Sequence, residues 1–225
     1  MATDIFTIRF GINKCYLIKD KGVIMIDGGP PNKVERFRDF LREKSIAPKD
    51  ISLIILTHGD FDHVGSAQDI KLLTGAKVAI HKEDGSNFEK SRHNFPLGTT
   101  HWGRFLRFVL NPATKLFSFP GGTADIILGD TDYPLYNYGI RGNIVYTPGH
   151  TKGSVSVILE TGEAFVGCMA HNNLPFRLRP GLPIFAEDIH GVKESWNLLL
   201  RRGVKIIYPA HGNPFPVEAI KSILN

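Results

Sequence analysis

Apolar residues fall along this chain in short blocks of two kinds. Ile5 to Phe10, Cys15 to Ile18 and Val23 to Ile26 are compact runs broken by Gly and Asn turns, and they predict three successive strands. Pro31 to Lys44 instead sets Val34, Phe37, Phe40 and Leu41 at helical spacing. Ile51 to Leu56 predicts a buried strand, followed by a helix from Gly65 to Leu73 and a strand from Lys77 to Ile80. The second half predicts strands at 142–147, 154–159, 163–167 and 205–208, a helix from about Glu187 to Arg202, and a short one from Val217 to Leu224. Strands and helices thus alternate in two halves, an α+β pattern, with no internal repeat sharp enough to argue from.

One region breaks the alternation. From about 86 to 138 there is little regular pattern but many large apolar side chains, including Trp102 and Phe105, with Pro and Gly as punctuation. Such a segment reads as a cap or a wall of a substrate pocket, or as a homodimer surface. A second candidate wall runs from Asn172 through Phe176 and Arg177 to Phe185.

Chemistry concentrates at strand ends. Directly after the run Ile51–Leu56 stands Thr57-His58-Gly59-Asp60-Phe61-Asp62-His63, with four potential metal ligands in six residues. Imidazole and carboxylate together suit zinc or iron better than calcium, which prefers oxygen alone. The competing reading is a polar loop in which Asp60 or Asp62 caps a helix. It explains one carboxylate and leaves two histidines and a second carboxylate over. Three more candidates follow strand-like runs: His150 in Pro148-Gly149-His150-Thr151, Cys168 after Gly167, and His211 in Pro209-Ala210-His211-Gly212. Binding residues gather on loops held by a rigid sheet, so four such loops reinforce one another.

Composition narrows the classes. At 225 residues and 42% hydrophobic, the chain can bury a core as one domain. Two cysteines, Cys15 and Cys168, imply no disulfide framework. No leader precedes a long apolar segment, and no run approaches the roughly twenty residues of a membrane span, so a cytoplasmic protein without a membrane partner is expected. The net charge is +5, but the basic residues are scattered. An anionic small-molecule substrate accounts for that charge at least as well as nucleic acid.

These motifs, from Met25-Ile26-Asp27-Gly28-Gly29 to Pro209-Ala210-His211-Gly212, resemble the metallo-β-lactamase-fold superfamily over nearly the whole chain. The superfamily pattern is Thr-His-x-His-x-Asp-His, a distant Gly-His, an Asp after a Gly, and a final His before Gly. The resemblance implies an αββα sandwich with one or two divalent metal ions at one edge. His58, Asp60 and His150 would form the first position, and Asp62, His63 and His211 the second. Cys168 falls where a carboxylate usually bridges, and Asp27 would support the site from outside the ligand set, with His171 a weaker candidate for the same role. Two departures pull against each other. Asp60 stands where most members carry histidine and shifts preference toward iron or manganese, whereas the Cys168 thiolate favours zinc. Zinc is expected first.

The implied activity is metal-assisted hydrolysis in which Asp62 orients the water or takes its proton, with no protein nucleophile. Esters, lactones and thioesters come first, then phosphodiesters, then β-lactams, with Trp102, Phe105 and Phe176 as pocket walls. Iron-dependent redox chemistry of the flavodiiron or sulfur dioxygenase kind, and a non-catalytic metabolite-binding module, are the alternatives. Flavodiiron enzymes work through an appended flavin domain, and here the sequence ends soon after the last ligand.

Overall fold

The computed structural model describes residues 3–91, 96–110, 119–173 and 175–224. Strands β1 (Asp4–Phe10), β2 (Asn13–Lys19) and β3 (Val23–Ile26) form an antiparallel meander. Strands β4 (Ile51–Ile55), β5 (Lys77–His81) and β6 (Ile126–Leu128) extend it in parallel, giving a six-stranded sheet in the order β1-β2-β3-β4-β5-β6. The second sheet is built from β7 (Tyr133–Pro134), β8 (Gly142–Tyr146), β9 (Val155–Leu159), β10 (Glu163–Phe165), β11 (Ile206–Tyr208) and β12 (Phe215–Pro216), in the order β12-β11-β10-β9-β8-β7.

Period-two alternation explains the layering. On β2 and β3, Tyr16, Ile18, Ile24 and Ile26 face inward and meet Ile144, Val155, Val157, Leu159 and Phe165 of the other sheet. The opposite faces, Cys15, Leu17, Val23 and Met25, pack with Phe37 and Leu41 of α1 (Val34–Glu43) and Ile70 of α3 (Ala67–Thr74). On the second sheet, Val145, Ile158, Ala164 and Ile207 lie under Trp196 and Leu199 of α6 (Ile189–Arg201) and Ile220 of α7 (Glu218–Leu224). Both sheets are therefore covered outside and apolar between, which is an αββα sandwich. The other α-helices among the described residues are α2 (Phe61–Val64), α4 (Lys82–Glu89) and α5 (His101–Leu110).

The described residues of 86–138 form more regular elements than their sequence pattern suggests. They hold the second half of α4, all of α5, and the edge strands β6 and β7. These strands are three and two residues long, too short for alternation to register as a period. Among the described residues, Asn87 of α4 lies against Gly59, and the segment leading into α5 pairs with Phe185, both beside the candidate site described below.

Candidate metal centre

Parallel strands deliver their following loops to one edge, and here that edge collects the polar cluster. After β3, Asp27 adopts a left-handed conformation with φ 60°, and its N–H donates to Ile55 O at 2.8 Å. After β4 the chain runs through Thr57, His58 and Asp60 into α2, which carries Asp62 and His63. His150 follows β8, and Cys168 follows β10. Gly167, at φ 54°, makes that last turn possible: a Cβ there would stand 2.5 Å from Thr57 Oγ1. His211 follows β11 in a loop held from β2, where Tyr16 Oη donates to Pro209 O at 2.7 Å and Lys14 N–H to Ala210 O at 2.9 Å.

Four buried histidines share one arrangement. The Nδ1 of His63 lies 2.8 Å from Asp27 Oδ2, that of His150 2.9 Å from Phe185 O, that of His211 3.2 Å from Ile12 O, and that of His58 3.0 Å from Thr57 Oγ1. Their Nε2 atoms face the cluster. His58 Nε2 is 3.4 Å from Asp60 Oδ2 and has no hydrogen bond, while His150 Nε2 is 3.2 Å from the same oxygen. His211 Nε2 is 3.2 Å and His63 Nε2 3.8 Å from Asp62 Oδ2. Cys168 Sγ lies 3.2 Å from His63 Nε2.

Two sets of donor atoms, those of His58, His150 and Cys168 and those of His63, Cys168 and His211, each fall within 4.8 Å of one another. Donors about 2.0–2.3 Å from a common ion can be no more than roughly 4.6 Å apart, so these spacings suit metal ligation after small adjustments. Buried His58 Nε2 has no hydrogen bond from the protein, as suits a nitrogen that a cation would engage, and the donor chemistry fits one. Cys168 belongs to both sets.

Electrostatics give the same picture. Burial raises the Asp62 carboxyl, but His63 and His211 outweigh it and bring it down to about 2. Asp60 is likewise held below the usual carboxylate range, its burial outweighed by His150 and His58. Burial lowers His211, yet the Cys168 sulfur and Asp62 lift it to about 10. Burial raises the Cys168 thiol, but His63, His211 and His58 pull it well below its ordinary value. Without metal, His211 is thus an imidazolium against the ionised Asp62 carboxylate. Because a ligating nitrogen must give up its proton, metal loading at pH 7 is expected to release protons. Apparent affinity then rises with pH until His211 is itself deprotonated near 10. Potentiometry in weak buffer during metal addition checks this.

The metallo-beta-lactamase superfamily model matches residues 8–211. The chain belongs to that superfamily. Among curated relatives, a probable metallo-hydrolase of Methanocaldococcus jannaschii is 29% identical over 206 residues, covering 88% of this chain and 86% of the relative. A probable metallo-hydrolase of Bacillus subtilis, YqgX, is 24% identical over 155 residues, covering 68% and 63%. Among solved structures, TTHA1623 in a di-iron-bound form superposes with TM-score 0.69 at 20% identity, covering 96% of each chain. The metallo-beta-lactamase SMB-1 bound to 2-mercaptoethanesulfonate gives TM-score 0.65 at 18% identity, covering 92% of this chain and 76% of its own. These structural likenesses establish the fold. The superfamily binds one or two divalent metals.

Against the superfamily pattern, the seven proposed ligands, His58, Asp60, Asp62, His63, His150, Cys168 and His211, come together at one end of the sandwich. Asp60 stands at the N-terminal boundary of α2 but makes no capping hydrogen bond there, so capping does not account for it. Asp27 Oδ2 lies 2.8 Å from His63 Nδ1, on the side of the ring away from the cluster. His171 differs. Its ring is buried and packs against Phe176 and His211, at centroid distances of 4.9 and 5.4 Å, and neither ring nitrogen has a hydrogen-bond partner. The sulfur of Cys168, one of the proposed ligands, nonetheless lies close enough to act on the ring. Burial lowers His171 to about 4, so it is neutral at physiological pH.

A cavity of about 40 Å³ is lined by Asp60, Asp62, His150, Cys168, His171, Phe176, Phe185 and His211. Phe176 is among the lining residues. Trp102 and Phe105 are not in this lining: α5 packs through Gly103, where a Cβ would fall 2.2 Å from Ile184 O, and turns both rings outward. His93 lies outside the described residues. His81 caps α4, its Nδ1 accepting from Glu83 N–H at 3.3 Å, and stacks on Tyr146 at 4.6 Å. Exposed His190 pairs with Glu194.

Sequence reasoning misses Asp84. This buried carboxylate accepts from Gly59 N–H at 3.0 Å and from Thr151 Oγ1 at 2.7 Å, joining the His58–Asp60 loop to the His150 loop. Gly153 allows the approach, since a Cβ there would be 2.6 Å from Asp84 Cγ. Lys82-Glu83-Asp84 looks like an ordinary acidic helix start, and nothing local marks which acid points inward. The one clue is its position just past the end of β5, the same edge as the other strand-end residues. Asp84→Ala is expected to destabilise the metal-free protein by about 2–4 kcal/mol, because two donors lose a charged acceptor. It is also expected to weaken metal binding by about 10–100-fold, with partial rescue by Asp84→Asn. Denaturant titration and metal titration separate the two effects.

Proposed function

We propose that this superfamily member is a metal-dependent hydrolase acting on a small ester, lactone or thioester. The carrying observation is that four histidines have Nδ1 against a protein oxygen and Nε2 toward one cluster. That is how a metal-ligating imidazole is held, and it fixes tautomer and ring orientation together. His58, Asp60 and His150 would hold one ion and Asp62, His63 and His211 a second, with Cys168 reaching both. A divalent ion in this cage supplies Lewis acidity, lowering the pKa of water toward neutral and polarising a substrate oxygen.

The chain's own groups do the rest. Asp62 is the more exposed of the two ligand carboxylates, at 23% against 13% for Asp60, so it is better placed to orient a water and accept its proton. His171, neutral and beside the cavity, offers a substrate oxygen one N–H donor. Phe176 and Phe185 line the cavity, and as apolar walls they keep bulk water from the reacting bond.

The Cys168 sulfur favours zinc and the Asp60 oxygen favours iron or manganese, with zinc expected first. A second reading, iron-dependent redox chemistry, rests on that Asp60 carboxylate, which lies against both His58 and His150. A panel of nitrophenyl esters, lactones and thioesters, with a nitrophenyl phosphodiester beside them, tests the proposal. Turnover of a carboxylic substrate that chelator abolishes and zinc restores supports it. Cleavage of the phosphodiester alone, or no turnover by fully loaded protein, overturns it.

A further inference from the structure

We infer that helix α5 docks this protein on an anionic lipid surface. A helix at a protein surface ordinarily turns its apolar stripe inward. α5 does the reverse. Its inner side is Gly103 against Ile184 O with Leu106 and Arg107 half-buried beside it, while Trp102, Phe105, Phe108 and Val109 are 46%, 55%, 80% and 51% exposed. Those four residues recur at three- and four-residue spacing and so share one side. Trp102 and Phe105 stack at 5.6 Å, and the Trp102 indole N–H donates to Pro175 O at 2.9 Å. The aromatic face is therefore fixed in place, and it stays open to solvent.

Charge selects the occupant. Residues 96–110 and 175–186 carry Arg104, Arg107, Arg177 and Arg179 and no Asp or Glu, in a chain with 22 acidic residues. Arg104 and Arg179 are exposed, as is Leu178. The next acids along, Glu187 and Asp188, accept from the backbone N–H groups of Lys152 and His190. An exposed aromatic face with exposed arginines nearby, here Arg104 on the helix and Arg179 on the neighbouring loop, seats a helix at the boundary between headgroups and acyl chains, and anionic lipids attract such arginines. A second copy of the chain fits less well, because a symmetric contact sets this basic rim against itself. Surface docking needs no membrane-crossing helix, and none occurs among the described residues.

The docked face lies beside the candidate metal centre. Gly98, three residues before α5, bridges to Phe185, which lines the cavity. The lipid contact is nonetheless separable from the hydrolase reading, since it uses none of the proposed ligands.

Intrinsic fluorescence reads this directly. The chain has two tryptophans, and Trp196 is fully buried with its indole N–H on Met169 O, so a lipid-induced change reports Trp102. Mixed phosphatidylcholine–phosphatidylglycerol vesicles are expected to shift the emission to the blue, and lipids brominated on their chains to quench it. Partitioning is expected to be about tenfold or more stronger than onto phosphatidylcholine alone, and to weaken with salt. Replacing Phe105 and Phe108 together by serine, at exposed positions, should abolish the shift with the circular dichroism spectrum unchanged. Unaltered emission with anionic vesicles overturns the inference. So does a blue shift that follows protein concentration without lipid, which would identify a second copy as the occupant.

Discussion

Asp62→Ala is expected to lower kcat/KM for whichever substrate the panel identifies by about a hundred- to ten-thousand-fold, the range for loss of a positioned acid–base group. Its carboxylate lies 3.2 Å from His211 Nε2 and accepts from Asn13 Nδ2 at 3.2 Å. Removing it takes a negative charge and a ligand from the second metal position, so metal content per chain should fall as well. The fold should survive, because this side chain is 23% exposed and no apolar core rests on it. Asp62→Asn is the sharper variant: it keeps the shape but can neither balance an ion's charge nor accept a proton. Turnover, metal content and circular dichroism are read on the same preparation. Unchanged activity with either variant contradicts the role assigned to Asp62.

Asp27→Ala should be the most destabilising single change around the site. One carboxylate, 2% exposed, accepts from Thr57 N–H at 2.8 Å, from Thr57 Oγ1 at 2.9 Å and from His63 Nδ1 at 2.8 Å. Alanine leaves these buried donors without an acceptor, at a cost of about 3–5 kcal/mol. It also places a Cβ without polar compensation at φ 60°, a conformation that Asp and Asn tolerate better. For a chain of this size the expected fall in Tm is roughly 6–20 °C. Metal affinity should drop about 10–100-fold as His63 loses its anchor. Asp27→Asn, free of the backbone strain, should lie between wild type and alanine. Differential scanning calorimetry with and without metal distinguishes the fold term from the metal term.

Both residues are legible in the sequence, and the reason is physical. A buried strand has to end in a turn, and polar residues at such turns in several strands are hard to explain by packing. Asp27, His58, Asp62, His150 and His211 each follow a strand-like run in this way. The principal strands are legible for a related reason. β2, β3, β5, β8 and β9 are apolar on both faces because helices cover each sheet outside, so they read as compact apolar runs.

Features set by tertiary direction are not legible in this way. α5 carries its aromatic residues at helical spacing, but Pro, Gly and aromatic residues around it mask the period, and periodicity cannot say which side faces inward. Trp102 and Phe105 read as pocket walls because large apolar residues ordinarily point in; a backbone contact at Gly103 sends them out. The roles of Asp84 and His171 lie across the fold, Asp84 on Gly59 and Thr151, His171 beside His211 and Phe176. Neither relationship has a local sequence signature.

The central claim is that these seven side chains form a metal cage. Metal content per chain, by elemental analysis of wild-type protein purified without chelator and again after reconstitution, tests it most directly. The account predicts one or two equivalents of a divalent metal, with both His58→Ala and His211→Ala reducing that number. No bound metal after reconstitution, or full occupancy in both variants, would contradict it.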